Sequence, residues 1–223
     1  MEFIDRRSPN FDPRPDGAVI DMLVLHYTGM AEAAAALERL CDAAAKVSCH
    51  YFIGEDGEIY RLVVEEYRAW HAGVSFWRGE TDCNARSIGI ELQNPGHEFG
   101  YRDFAEAQMQ SLERLALDIL SRHPIPPGNV LGHSDIAPAR KIDPGERFDW
   151  QRLAARNIGI WPKPGAEPET DLNAERLLTA LGYQTSDLGA AITAFQRRYR
   201  TAFIDGQADA ETLALMAALT QDR

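Results

Sequence analysis

Long apolar runs are missing from this chain. No stretch approaches the roughly 20 residues that a membrane-spanning helix needs, which excludes an integral helical membrane protein. The opening residues, Met1 to Asn10, lack the apolar centre of a secretory leader. A cytoplasmic protein is therefore expected, or a periplasmic one if a leader has been removed. Cysteine is scarce. Cys41, Cys49 and Cys83 make an odd count without framework spacing, which excludes a disulfide scaffold and fits buried thiols in a reducing compartment. Positive charge is short as well: 23 Lys and Arg stand against 34 Asp and Glu, giving a net charge of −11. No local basic patch offsets it, so neither nucleic acid nor an anionic membrane surface is an expected partner. What is present is ample apolar material, 45% of 223 residues. That suffices for a good core, in one medium domain with or without a small appendage.

The densest chemistry lies in Gly132-His133-Ser134-Asp135-Ile136-Ala137-Pro138-Ala139-Arg140-Lys141-Ile142-Asp143-Pro144-Gly145. An imidazole, an amine and a carboxylate share one loop stiffened by proline, following the strand-like Val130-Leu131. Stiff loops suit metal sites because their ligands lose little entropy when the ion arrives. The residues leave two readings open: a plain hydrogen-bonded loop, or a Zn²⁺ site in which His133 and Asp143 join a distant His26 with Lys141 beside the metal.

His26 ends the apolar run Val19 to Leu25, which reads as a strand buried on both faces. Open α/β sheets carry ligand sites at such strand ends. Ala31 to Ala45 predicts a helix, Val47 to Ile53 a strand, and Gly54-Glu55-Asp56-Gly57 a hairpin turn into a partner strand Ile59 to Val63. His50 either lines a cleft or makes a structural hydrogen bond. Trp70 to Trp77 reads as a loop whose indoles either stack on a sugar or peptide or pin the loop from within. Ser87 to Gln93 alternates, turning Ile88, Ile90 and Leu92 to a core and Glu91 to the opposite face. There Glu91 is either a solvated carboxylate or, if desolvated near a metal, a general base. Asp103 and Glu106 resemble a capping box opening a helix with a core stripe of Met109, Leu112, Leu115, Ala116, Ile119 and Leu120. His97 and His123 read as loop residues without a ligand role.

Beyond Trp150 the pattern weakens. Residues 161–170 read as a stiff proline-rich linker between a catalytic unit, 1–160, and a tail, 171–223. In the tail Asp171 predicts the cap of a helix stopping at Gly182. Leu188, Ile192, Phe195 and Tyr199 mark a second helix, and Asp209 caps a third. The tail suggests binding or packing, with no catalytic set.

Taken together, Leu23-Val24-Leu25-His26, Val47-Ser48-Cys49-His50-Tyr51, Arg68-Ala69-Trp70-His71-Ala72-Gly73-Val74-Ser75, Cys83-Asn84-Ala85-Arg86-Ser87-Ile88-Gly89-Ile90-Glu91 and the 132–145 loop resemble the zinc-dependent N-acetylmuramoyl-L-alanine amidases of the AmpD and AmiD type, within the peptidoglycan-recognition-protein superfamily. Residues 177–213 resemble the three-helix peptidoglycan-binding domain that accompanies some of them. The resemblance implies an α/β fold, a central mixed sheet flanked by helices, with a small C-terminal three-helix bundle. It further implies Zn²⁺ on His26, His133 and Asp143 with a fourth position open, Glu91 as general base and Lys141 as oxyanion stabiliser. The bond cut would join the lactyl group of N-acetylmuramic acid, or its 1,6-anhydro form, to L-alanine of the stem peptide. A monomer acting on muropeptide or peptidoglycan is expected. Trp70, His71, Ala72 and Asn84 match cleft-lining segments, and His50 joins them as a substrate-side candidate.

Two departures stand out. Some superfamily members have a catalytic Tyr where Cys49 stands, leaving that role to Glu91. The recycling enzymes have an Arg matching Asp82 that holds a stem-peptide carboxylate; Lys46 is the candidate replacement. A receptor without catalysis and a metallopeptidase cutting within the stem peptide are the competing readings.

Overall fold

The computed structural model describes residues 1–163 and 173–221. Its centre is a mixed sheet in the order β1 (Ile4–Asp5), β5 (Ile59–Arg61), β4 (Tyr51–Ile53), β7 (Ser87–Leu92), β3 (Met22–Tyr27), β8 (Val130–Gly132). β4, β7, β3 and β8 run parallel, while β5 is antiparallel to β4 across the predicted hairpin turn. A separate ribbon pairs β2 (Phe11–Pro13) with β6 (Tyr67–Ala69).

Period-two alternation divides the central strands between two cores. Leu23, Leu25, Ile88, Ile90, Leu92 and Val130 face one side. There they meet α4 (Glu106–Arg122) through Met109, Leu112, Leu115, Ala116 and Ile119, and α6 (Trp150–Ala155) through Trp150 and Leu153. The helical stripe read from the sequence is this contact, and each fully buried Leu or Ile in it contributes roughly 1.5–3 kcal/mol. On the other side Phe52 packs on Ala36, Leu37 and Leu40 of α1 (Ala33–Cys41). Met22, Val24 and Leu131 share a core with Leu178 of α7 (Ala174–Leu181), Ile192 and Phe195 of α8 (Leu188–Tyr199) and Met216 of α9 (Ala210–Gln221). The C-terminal helices are thus packed against the sheet. Short helices α2 (Cys83–Arg86), α3 (Gly96–Phe99) and α5 (His133–Ile136) sit at the strand ends.

Several expected boundaries shift for local reasons. α1 stops at Cys41 because the Asp42 carboxylate takes the Ala44 N–H and turns the chain. β4 begins only at Tyr51, since the Val47 carbonyl is taken by Asn10 and the Ser48 N–H by the Trp70 carbonyl. The capping box at α4 does not form: Ala105 is the N-cap, and Asp103 and Glu106 pair instead with Arg147 and Arg152. α7 is capped by Asn173, whose side chain accepts the Arg176 N–H; Asp171 and linker residues 164–170 lie outside the described residues. Gly182 ends α7 at φ 122°, and Asp209 caps α9 through the Thr212 N–H, as their types require.

Candidate active site

The parallel strands deliver their functional side chains to one edge of the sheet. His26 is the penultimate residue of β3, Glu91 the penultimate residue of β7, and His133 follows β8 directly. Asp143 returns to the same point because its carbonyl accepts the Ser134 N–H at 2.9 Å, closing the 133–143 loop on itself. His26 Nδ1, His133 Nδ1 and Asp143 Oδ2 lie 2.9 to 3.1 Å from one another. All three residues are buried.

The surrounding hydrogen bonds fix what those three atoms carry. His133 Nε2 faces the Ala72 carbonyl at 3.0 Å, which can only accept, so the ring proton sits on Nε2 and Nδ1 presents a lone pair. Ser87 Oγ donates to the Cys83 carbonyl and therefore accepts from His71 Nε2. His71 Nδ1 must then accept from His26 Nε2, at 3.0 Å, and His26 Nδ1 also presents a lone pair. Burial first, and the neighbouring imidazoles next, push His71 well below the usual histidine range, so that it stays neutral. The same causes bring His26 down to about 4.

With both rings in their neutral form, three lone-pair donors converge here. That arrangement is repulsive unless a cation sits between them, and their spacing is close to the about 3.3 Å edge of a tetrahedral zinc shell. The donor set, two neutral imidazoles and one carboxylate, fits a metal that keeps an open position.

Glu91 stands beside this cluster. Its Oε2 is enclosed and, among the described residues, without a hydrogen-bond partner. Burial, then the Asp143 carboxylate, raises its proton affinity well above the usual range, and Lys141 opposes that rise. Glu91 also borders a cavity of about 60 Å³ with Thr28, Met30 and Val47. Lys141 is half-buried on the metal loop, close enough to bear electrostatically on both His26 and Glu91.

The substrate-side candidates separate into two groups. His71, Ala72, Asn84 and His50 are buried. Asn84 Oδ1 accepts both the His71 and Ala72 N–H groups, at 3.0 and 2.8 Å, so it holds the loop that holds the imidazoles. His50 accepts the Gly89 N–H through Nδ1 and contacts Arg14 and the Tyr67 carbonyl through Nε2; burial, then Arg14, brings it down to about 3. Of its two readings, the structural hydrogen bond is the one observed. Trp70 is half-buried with Nε1 donating to Asp12 at 2.6 Å, and Lys46 is exposed. Trp77 is the pin of its loop, donating to Asn129 at 3.1 Å, and the exposed apolar residue there is Val74.

Sequence reading missed Ser87, Gly89, Arg14 and Arg140. Arg140 shares the Ala72 carbonyl with His133, while Arg14 ties together the carbonyls of Glu65, Asn84, Ala85 and Ser87. Gly89 is small out of need: a Cβ there would fall 2.6 Å from His71 Nδ1. The Gly in an otherwise branched strand was the available signal.

A family model described as N-acetylmuramoyl-L-alanine amidase matches residues 16–146. The chain belongs to the N-acetylmuramoyl-L-alanine amidase family. This amidase is 39% identical to N-acetylmuramoyl-L-alanine amidase AmiD of Escherichia coli, over 91% of this chain and 83% of that protein. It is 38% identical to the 1,6-anhydro-N-acetylmuramyl-L-alanine amidase AmpD of Citrobacter freundii, over 66% of this chain and 86% of that one. Among solved structures, Escherichia coli AmiD in complex with the substrate anhydro-N-acetylmuramic acid-L-Ala-D-γ-Glu-L-Lys superposes with a TM-score of 0.82 at 38% identity, covering 93% of this chain and 92% of that one. AmpDH3 from Pseudomonas aeruginosa superposes at 0.83 and 34% identity, covering 95% of both chains. The mixed sheet flanked by helices is therefore the fold of these amidases, as the resemblance implied.

Proposed function

We propose that the amidase is zinc-dependent and hydrolyses the amide between the lactyl group of N-acetylmuramic acid, in soluble 1,6-anhydro fragments, and L-alanine of the stem peptide. The observation that carries this reading is the convergence of the three buried ligand atoms beside Glu91, whose Oε2 is enclosed and, among the described residues, without a hydrogen-bond partner. His26, His133 and Asp143 hold the zinc ion, which supplies Lewis acidity for the scissile carbonyl and for water. Glu91 accepts the proton of the attacking water on its carboxylate and passes it to the alanine nitrogen as the C–N bond breaks. Its raised proton affinity suits it to hold that proton between the two transfers. The Lys141 ammonium neutralises the negative charge that develops on the carbonyl oxygen. Trp70 and Lys46 remain as groups for the sugar or peptide, while His71, Ala72, Asn84 and His50 act by holding the site in shape.

We take a catalytic unit over 1–160, a linker over 161–170 and a three-helix unit over 171–223 as the working domain scheme. We place the reaction in the cytoplasm. Free Cys41, Cys49 and Cys83 suit a reducing compartment, and recovery of the native protein in a periplasmic fraction would reverse that placement.

The deciding experiment incubates zinc-quantified protein with an anhydromuramyl tripeptide and, separately, with intact sacculi, reading products by mass spectrometry. Free anhydro sugar with an intact tripeptide is expected from the first. Shortened peptides would mean a metallopeptidase, and no turnover of either substrate would end the reading.

A further inference from the structure

Asp135 lies two residues beyond His133 and is buried. Its carboxylate accepts three hydrogen bonds. One, at 2.8 Å, is from the Gly132 N–H just before the ligand. The other two come from the C-terminal segment: Tyr183 Oη, in the connection between α7 and α8, and Arg198 Nη1 on α8, each at 2.6 Å. Arg198, on α8 and also buried, sends Nη2 to the Val130 carbonyl at 3.0 Å. Its guanidinium lies over the Trp150 ring, 3.9 Å from the centroid. The short segment Val130–Asp135, which delivers His133, is thus gripped at both ends by one side chain some sixty residues later. A buried ion pair of this kind is costly unless its geometry is well satisfied, and here Arg198 Nε is buried with no hydrogen-bond partner among the described residues.

We propose that the C-terminal helices are a positioning element of the metal site, acting through Arg198 and Tyr183 on Asp135 so that His133 is preset to bind the ion. Arg198 and Tyr183 are positioning residues: neither touches the ligand atoms. This rests on the reading of His26, His133 and Asp143 as zinc ligands, and extends it by giving the tail a role in the site it backs. Partners outside the coordination shell typically change metal affinity by roughly 10- to 100-fold when removed.

The test measures zinc affinity of full-length Arg198→Met by competition with a chromophoric chelator, together with the visible spectrum of the cobalt-substituted protein and the unfolding temperature. Arg200→Met serves as the control, because Arg200 ties Asp209 and Glu211 within the helical unit. Arg198→Met is expected to bind zinc roughly 10- to 100-fold more weakly with altered cobalt bands. Arg200→Met is expected to lower the unfolding temperature without changing either readout. An Arg198→Met protein within about twofold of wild-type zinc affinity overturns the proposal, as does equal weakening in the control. If Arg198→Met does not fold, Tyr183→Phe, which removes one hydroxyl, decides: weakening beyond about threefold supports the proposal and unchanged affinity overturns it. Wild-type protein that binds no zinc would instead strike down the metal assignment itself.

Discussion

His26 and Glu91 stand directly opposite each other in the parallel register of β3 and β7. Their side chains leave the same face of the sheet from backbones one strand spacing, about 4.8 Å, apart. The pairing fixes the carboxylate beside the ligand cluster by main-chain geometry, so no loop has to close to bring them together.

Glu91→Gln keeps the shape of the side chain and removes the base. Turnover is expected to fall by roughly 10²- to 10⁴-fold. Zinc content and circular dichroism should stay at wild-type values. Kinetics on an anhydromuramyl peptide check this, and turnover within tenfold of wild type would take Glu91 out of the mechanism.

Lys141→Met removes the ammonium near His26 and Glu91. The expected loss is roughly 10²- to 10³-fold in kcat with little change in KM, the pattern of a group used in the transition state. A raised KM at constant kcat would make Lys141 a substrate-binding residue instead.

Gly89→Ala forces a methyl group against the His71 ring, and His71 fixes the proton of His26. Overpacking should cost about 1–3 kcal/mol in urea unfolding. Zinc affinity should drop roughly 10- to 100-fold. Wild-type affinity in this variant would show that the His71 contact does not orient the ligand.

Metal-free protein should lose stability as pH falls below 6.5, the unfolded histidine value. His26 and His50 titrate at about 4 and about 3 in the fold, so between those values and 6.5 only the unfolded chain takes up their protons. By pH 5 each costs about 2 kcal/mol. Glu91 runs the other way, since a raised carboxyl favours the fold as pH drops. His50→Gln isolates one contribution: the stability gap between pH 7.5 and pH 5, measured by urea unfolding, should shrink by about 2 kcal/mol. An unchanged gap would refute the assignment for His50.

The sequence carried the members of the His26, His133 and Asp143 cluster because their chemistry is local: a histidine at a strand end, and a loop stiffened by Pro138 and Pro144. It carried the cores of β3, β7 and α4 because apolar periodicity is strong there. His71 was legible as part of the site and not as a second imidazole bonded to the first, since that role depends on Ser87 and Cys83 lying behind it. Asp103 and Glu106 matched a cap on spacing alone, and arginines more than forty residues away took the carboxylates. The partnership of Asp135 with Arg198 had no signal in either segment, because a buried charge pair is visible only once the fold has joined its halves.

That partnership has a consequence for the rim of the sheet. β8 is an outermost strand, and the carbonyl of Val130 and the N–H of Gly132 are consumed by Arg198 and Asp135. At the opposite rim β1 is only two residues long. Both rims of the central sheet are therefore short, two and three residues, and offer a foreign strand little backbone to add to.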